Sequence, residues 1–237
     1  MRRARERSNI ERRAAAHGAL SVPARLAIVD ELIVSDRTPK ELSQRLGIPS
    51  NLLAHHLDVL EAEDLIERGV SAADQRRRYV RLAQHNFDSL MIATPTTPRR
   101  VLFVCSHNSA RSQLAAALWT SHTGAPATSA GTHPASRVHR GAVSAAKRAG
   151  LDLTTASPKP LGAIPTTTQV ITVCDRVHEE LEPHDSWWHW SIADPVDEAT
   201  PAAFDAVVAE LRARITAITS ISRKDTPASK AKPKGTA

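Results

Sequence analysis

At 237 residues the chain is long enough for two small domains, and with aromatics at 3 % their cores must be built from Leu, Ile, Val and Ala. No apolar run is long enough to span a bilayer, and two cysteines, Cys105 and Cys174, are too few for a disulfide scaffold, so reactive thiols are the better expectation. The formal net charge of +6 lies at the ends: residues 1–13 and 223–237 carry +4 each and leave −2 between them, so the basic character belongs to two tails suited to nucleic acid or to plain solvation.

The first segment, residues 1–14, reads as a basic arm. It is rich in Arg and lacks the apolar core of a secretory signal, so a cytoplasmic location is expected. Residues 24–34 then carry the apolar spacing of a helix. Thr38-Pro39-Lys40-Glu41 opens another: Thr38 caps, Pro39 suits the first turn and Glu41 completes a capping box. Leu42 and Leu46 share one face, Gly47 stops the helix, Ile48-Pro49 turns the chain and Ser50 is expected to cap the next helix. In that helix Leu53, Leu57 and Leu60 form the buried stripe, leaving Asn51, His55 and, at its edge, His56 outward.

Helix, short Gly-containing turn, helix is the arrangement that reads DNA. Residues 67–82 follow as a hairpin with a turn-rich middle, and Arg76, Arg77 and Arg78 give it a basic edge for backbone phosphates. The expected DNA contacts are therefore Ser50, Asn51, His55, His56, Arg76, Arg77 and Arg78.

On Ala24-Arg25-Leu26, Glu41-Leu42, Ala54-His55-His56-Leu57, Leu60 and Tyr79-Val80-Arg81-Leu82, residues 15–85 resemble the ArsR family of winged-helix repressors. The resemblance implies a homodimer on a roughly palindromic double-stranded operator. Arsenic-sensing members carry cysteines near the first reading helix, and this segment has none, so any arsenite sensing here does not use thiolates at that place.

Residues 86–98, with Pro95 and Pro98, read as a linker. Val101 to Cys105 then form a buried strand that runs into Ser106, His107, Asn108, Ser109, Ala110, Arg111 and Ser112. A helix of about 109–122 follows. The spacing Cys-x5-Arg-Ser suits a tetrahedral oxyanion: amides of residues 106–110 wrap it and the helix points its positive end at it. The same field favours the thiolate of Cys105. Arg111 offers a bidentate fork, and Ser112 a hydrogen bond to the departing thiolate.

Helices are expected near 138–149, 175–181 and 201–221, and a buried strand at 168–173 ends at Cys174. Alternating strands and helices imply a parallel sheet in a Rossmann-like fold, with the anion loop at a strand's C-terminal end. The whole is thus α/β: a winged helix-turn-helix, mostly α with a β-wing, followed by this second domain.

Residues 99–222 are similar to the low-molecular-weight protein tyrosine phosphatases and, within that fold, to thioredoxin-type arsenate reductases. The matching positions are Cys105, Asn108, Arg111, Ser112, Gln113-Leu114-Ala115, Ser129-Ala130-Gly131, residues 170–174, His189-Trp190 and Asp194-Pro195. The resemblance implies Cys105 as nucleophile, Asp194 as general acid and Cys174 as a second redox thiol. Gln113 stands where the phosphatases usually place Pro and the reductases Gln. Leu181 stands where the reductases keep a third cysteine, His107 replaces a loop glycine, and Ala110 the second loop cysteine of many phosphatases.

Taken as residues alone, Asp194 also suits a helix or turn cap, and Cys174 a small buried apolar group. Trp187, Trp188 and Trp190 are candidates for the pocket mouth, with packing expected for at least one.

The sequence therefore points to a transcriptional regulator that carries a phosphatase-fold, arsenate reductase-like domain in arsenic response. It needs no metal or resident cofactor, but an external thiol or thioredoxin-like reductant. A tyrosine phosphatase tethered to DNA and a non-catalytic oxyanion or redox sensor are the alternatives. Residues 223–237 read as a basic disordered tail.

Overall fold

The structure is a computed structural model that describes residues 9–83, 98–181 and 183–222. Most of the expected arm, the linker except Pro98, and the basic tail at 223–237 lie outside those residues. Helix α1 (Asn9–Leu20) begins inside the stretch read as an arm and buries Ala16 and Ala19. It packs with α2 (Pro23–Val34), α3 (Pro39–Leu46) and α4 (Ser50–Ala62) around Ile28, Leu32, Leu42, Leu53, Leu57 and Leu60.

Local chemistry sets the ends of α3. The capping box forms, with Thr38 N–H donating to Glu41 Oε2 at 2.6 Å and Glu41 N–H to Thr38 Oγ1 at 3.3 Å. Gly47, at φ +64°, closes the helix in the left-handed region. Ser50 does not cap α4. The N-cap is Pro49, whose carbonyl accepts from Leu53 N–H at 2.9 Å, so Ser50 is already the first helical residue.

Strands β1 (Ile66–Val70) and β2 (Arg78–Leu82) form the wing as an antiparallel pair with Ile66 opposite Leu82 and Val70 opposite Arg78. Arg37 adds a bridge to Val80 on the other edge of β2.

The second domain holds a four-stranded parallel sheet of β3 (Val101–Cys105), β4 (Ala127–Gly131), β5 (Gln169–Thr172) and β6 (Trp188–His189), in the order β4-β3-β5-β6. Its helices are α5 (Arg111–Thr123), α6 (Arg140–Arg148), α7 (Asp175–Glu180), α8 (Pro195–Glu198) and α9 (Pro201–Ser222). The chain leaves central β3 for β4 on one side and later returns to β5 on the other. Cys105 therefore lies at the point where the strand order reverses, the place in such sheets where ligands bind.

Phe103, Trp119 and Trp190 meet in the core, with ring centroids 6.0 and 5.7 Å from Phe103. Trp188 and Trp190 are buried at β6 and pack in the core, and Trp187 is half-buried against the same core.

The two domains are fastened together. Ser35 and Asp36 lie beside β6: Asp36 N–H donates to His189 O at 2.6 Å and His189 N–H to Ser35 Oγ at 2.6 Å. Trp190 Nε1–H donates to Val34 O at 2.9 Å. Asp36 and Arg214 form a buried bidentate ion pair at 2.8 and 3.1 Å. The wing turn reaches α7, where Ser71 Oγ donates to Glu179 Oε1 at 2.6 Å and Ala72 N–H to Asp175 Oδ2 at 2.8 Å.

Candidate functional site

The loop from Cys105 to Arg111 is shaped by what happens to its carbonyls. Ser106 O accepts from His133 N–H at 2.8 Å, His107 O from Ala135 N–H at 2.9 Å and Ser109 O from His139 N–H at 2.8 Å. Asn108 O accepts from Gln113 Nε2 at 3.1 Å. Four successive carbonyls are thus turned to donors outside the loop, a backbone arrangement of the kind that suits an anion on the other side.

Asn108 is the keystone. Its φ of +47° is a conformation that Asn tolerates better than most residues. Its Oδ1 accepts from Lys159 N–H at 2.8 Å and Gln113 Nε2 at 3.1 Å, and its Nδ2 donates to Ser112 Oγ at 2.8 Å.

Gly131 lies against the outside of this loop. A Cβ there would stand 2.6 Å from Ser106 O and 2.9 Å from Asn108 N. In the sequence Gly131 stands out only through the resemblance, and nothing in the spacing of residues 157–159 announces that they close the loop from behind.

Cys105 is buried, and its Sγ accepts from Asn108 N–H at 3.2 Å and lies 3.0 Å from Ser112 Oγ. Because Asn108 Nδ2 already donates to Ser112 Oγ, the serine hydroxyl proton is available to the sulfur.

Arg111 is buried, but its terminal nitrogens are engaged elsewhere than in the expected fork. Nη1 donates to Ile192 O at 3.0 Å and Nη2 to Asp194 Oδ2 at 2.5 Å. A guanidinium withdrawn from water takes the nearest acceptors, and Asp194 supplies one. The other Asp194 oxygen caps α8 through Val196 N–H at 3.1 Å. Asp194 is therefore a cap and at the same time the partner of the loop arginine.

Cys174 is buried at the N-cap of α7, its Sγ 3.4 Å from Ser106 Oγ. The fold brings Cys105, Ser106, Asn108, Arg111, Ser112, Cys174 and Asp194 to one place; His107 is exposed and Ser109 half-buried on its rim.

Behind Cys174 runs a buried polar cluster that the sequence did not announce. Thr172 Oγ1 lies within hydrogen-bond distance of Nδ1 of both His178 (3.1 Å) and His189 (2.9 Å), whose rings stack at 4.0 Å. Asp175 Oδ1 approaches His189 Nε2 at 3.2 Å without an aligned hydrogen bond. Burial opposes the Asp175 charge, but His189 and the Ala72 N–H prevail and hold its pKa below the ordinary value.

Burial likewise opposes the charge of Glu41, yet His178 and Thr38 hold its carboxyl down at about 2. Burial lowers the pKa of His178 against the pull of Glu41. Tyr79 packs on His189 at 4.7 Å and points its hydroxyl at Glu179; burial and the neighbouring carboxylates push its pKa up.

On the DNA-reading side, Ser50, Asn51 and His55 are exposed on α4, together with Leu52 and Ala54, which sequence reasoning left out. His56 is 7 % exposed and packs inward beside Leu53, Leu57 and Leu60, so it does not reach a groove. Its position i+3 from Leu53 puts it on the apolar stripe. Arg76 and Arg78 are exposed, and Arg77 lies between Asp74 and Glu179 at 3.7 and 4.0 Å, partly drawn toward α7.

A family model described as Low molecular weight phosphotyrosine protein phosphatase matches residues 100–227, and one described as Helix-turn-helix domain matches residues 20–69. Among solved structures, the chain is similar to the Erwinia amylovora tyrosine phosphatase amsI. The identity is 20 %, covering 52 % of this chain and 93 % of that one, with a TM-score of 0.46. It is also similar to a thioredoxin-dependent arsenate reductase of Corynebacterium glutamicum, at 27 % identity over 57 % of this chain and 66 % of that one, with a TM-score of 0.43. A further similar structure is the YwlE protein of Bacillus subtilis, a mutant at 19 % identity over 51 % and 96 %, with a TM-score of 0.45. No curated protein matches the chain.

Proposed function

Because the matching phosphatase model spans more than half of its length, the chain belongs to the low molecular weight phosphotyrosine protein phosphatase family, and we propose that it is a DNA-binding regulator of the ArsR type whose phosphatase-fold domain reduces arsenate in arsenic response. The observation that carries this reading is the oxyanion nest around Cys105, with a second buried thiol beside it.

In the first step the Cys105 thiolate attacks arsenic, a sulfur–arsenic bond forms and an oxygen leaves as water with a proton from Asp194. The incoming oxyanion competes with Asp194 for Arg111, which frees that carboxyl for the proton. In the second step Cys174 attacks Cys105 Sγ. The sulfur–sulfur bond forms, the sulfur–arsenic bond breaks and its electron pair stays on arsenic, which departs as arsenite. Two thiols are oxidised and arsenic is reduced by two electrons.

β3 and β5 are paired neighbours and Val173 N–H bonds to Val104 O, so Cys105 and Cys174 lie about 6 Å apart at Cα by ordinary strand spacing, within disulfide range. With Leu181 in place of a third thiol, an external thiol or thioredoxin-like dithiol reduces that bond directly. A small thiol attacking the Cys105 adduct is the other route.

The test is turnover of arsenate with several thiols, set against p-nitrophenyl phosphate, and a salt-dependent gel shift on the chain's own upstream promoter. Arsenate-dependent thiol consumption that vanishes in Cys105→Ser supports the reading. Hydrolysis of the aryl phosphate without arsenate turnover replaces it with a phosphatase.

The docking of the wing on the helix that follows Cys174 favours a second reading, in which the loop senses an oxyanion or oxidant without turnover. Neither activity, with ligand-dependent operator release, would select it. A homodimer on the operator belongs to either reading, and sedimentation with and without DNA tests it.

A further inference from the structure

The phosphatase domain holds α3 through Glu41 and Arg45 and the wing through Ser71 and Ala72, but among the described residues no hydrogen bond or ion pair joins it to α4. The outer face of α4 is therefore open to a partner, and its two halves differ. Asp58 and Glu61 make the C-terminal half acidic, and Arg68 of the wing lies 2.6 and 3.3 Å from them. Two carboxylates against one guanidinium leave that half net negative, which holds it off the phosphates of a duplex. The first turn has no acidic residue, and there Asn51, Leu52, Ala54 and His55 are exposed.

On a helix turning about 100° per residue, Asn51 and His55 lie one above the other, and Leu52 and Ala54 flank them on opposite sides. Leu52 is 45 % exposed, and Leu53, Leu57 and Leu60 already fill the side that faces the core. An amide bracketed by two apolar side chains has a counterpart in the major groove, where the first residues of a reading helix meet base edges. The apolar group there is the C5 methyl of thymine, and adenine offers the N7 acceptor and N6 donor that an Asn amide matches at both ends. Arg76 and Arg78, exposed on the wing, suit phosphates and carry no such information.

We propose that α4 reads A·T base pairs, with Asn51 on N6 and N7 of an adenine and with Leu52 and Ala54 on the methyl groups of thymines in neighbouring pairs. The inference rests on the DNA-binding reading and gives it a sequence preference; it is independent of chemistry at the Cys105 loop.

The experiment is selection of bound duplexes from a random pool by the full chain. Anisotropy titration of the selected duplex then follows, with each thymine replaced in turn by deoxyuridine, which removes one methyl and keeps every hydrogen bond. Each thymine against Leu52 or Ala54 is expected to lose about fourfold in affinity, the worth of one buried methyl. Leu52→Ser should abolish the deoxyuridine effect at one position and Ala54→Ser at another, while Asn51→Ala relaxes the choice of adenine about tenfold. All three positions are exposed, so Tm should stay unchanged. A selected duplex that binds but lacks A·T pairs at its preferred positions, or whose affinity ignores every methyl, overturns the inference and leaves DNA binding intact. Methyl effects that survive both serine variants overturn the assignment to α4. Failure of every duplex to bind overturns the inference together with the DNA-binding reading.

Discussion

Gly131→Ala is the sharpest probe of the loop. The new methyl would sit 2.6 Å from Ser106 O, 2.9 Å from Asn108 N and 3.0 Å from Asn108 Cβ, where ordinary contact begins at 3.4 Å. Ser106 must therefore retreat by about 0.8 Å, and Asn108 with it, although the latter is fixed by Lys159, Gln113 and Ser112. Displacement on that scale costs on the order of 100-fold in a positioned reaction, about 2.7 kcal/mol of transition-state stabilisation. Overpacking removes about 1–3 kcal/mol of stability besides. The expected result is a drop of about 100-fold in kcat/KM for whichever substrate the wild type turns over, and a similar weakening of phosphate at the loop by calorimetry. Gel-shift affinity for DNA stays within about twofold, since Gly131 touches nothing in the reading helices. A variant that keeps phosphate affinity and turnover within twofold of wild type would refute the claim that the carbonyl-out backbone of residues 106–109 makes the anion site.

His55→Ala is expected to weaken operator binding by about 1 kcal/mol with an unchanged Tm, whereas His56→Ala is expected to lower Tm; the reverse pattern in gel shifts and calorimetry defeats the assignment of faces on α4. Asp36→Asn leaves Arg214 buried with Glu210 as its remaining carboxylate and should cost about 3 kcal/mol in urea unfolding, while the pair Asp36→Leu with Arg214→Met recovers most of it; equal losses in single and double variants would contradict a buried-charge origin. The Glu41 carboxyl titrates at about 2 in the fold against an ordinary 4.5, so its contribution is present above pH 4.5 and is lost as pH falls toward 2. It is worth about 2 kcal/mol once the exposed third of the side chain is allowed for, and Glu41→Gln retaining the same acid slope of stability rejects it. Oxidation to a Cys105–Cys174 disulfide is expected to weaken operator binding about tenfold by loosening the wing, and in Asp175→Asn the oxidised and reduced forms should bind alike; no redox effect in the wild type sinks the coupling.

The anion loop was legible because its chemistry is local. A strand, five loop residues and a helix start lie consecutively, a spacing that suits a tetrahedral ion. The capping box of Thr38 and Glu41 was legible for the same reason. Ser50 failed as a cap because Pro49 O had already begun the helix, which spacing alone does not reveal. His56 failed because a histidine at an apolar-stripe position reads as polar by type and buried by place, and burial won. Arg111 paired with Asp194 across 83 residues, and Asp36 with Arg214 across 178, and no sequence pattern marks partners so distant. The whole interdomain contact belongs to this class, since a proline-bearing linker looks the same whether the domains it joins are docked or free.

That contact changes what the two cysteines mean. In a parallel pair, residues in register point to the same face, and Cys174 is in register with Ser106, beyond the Val104–Thr172 pair. Its sulfur accordingly stands against Ser106 Oγ rather than facing Cys105. A bond to Cys105 therefore requires the backbone at Cys174 to turn, and the next residue, Asp175, holds Ala72 N–H of the wing while Glu179 on the same short helix holds Ser71. α7 has only six residues, and so little helix to absorb the turn before the wing anchors feel it. The residue that follows Cys174 and the wing that carries Arg76 and Arg78 are thus joined through one residue of backbone and two hydrogen bonds.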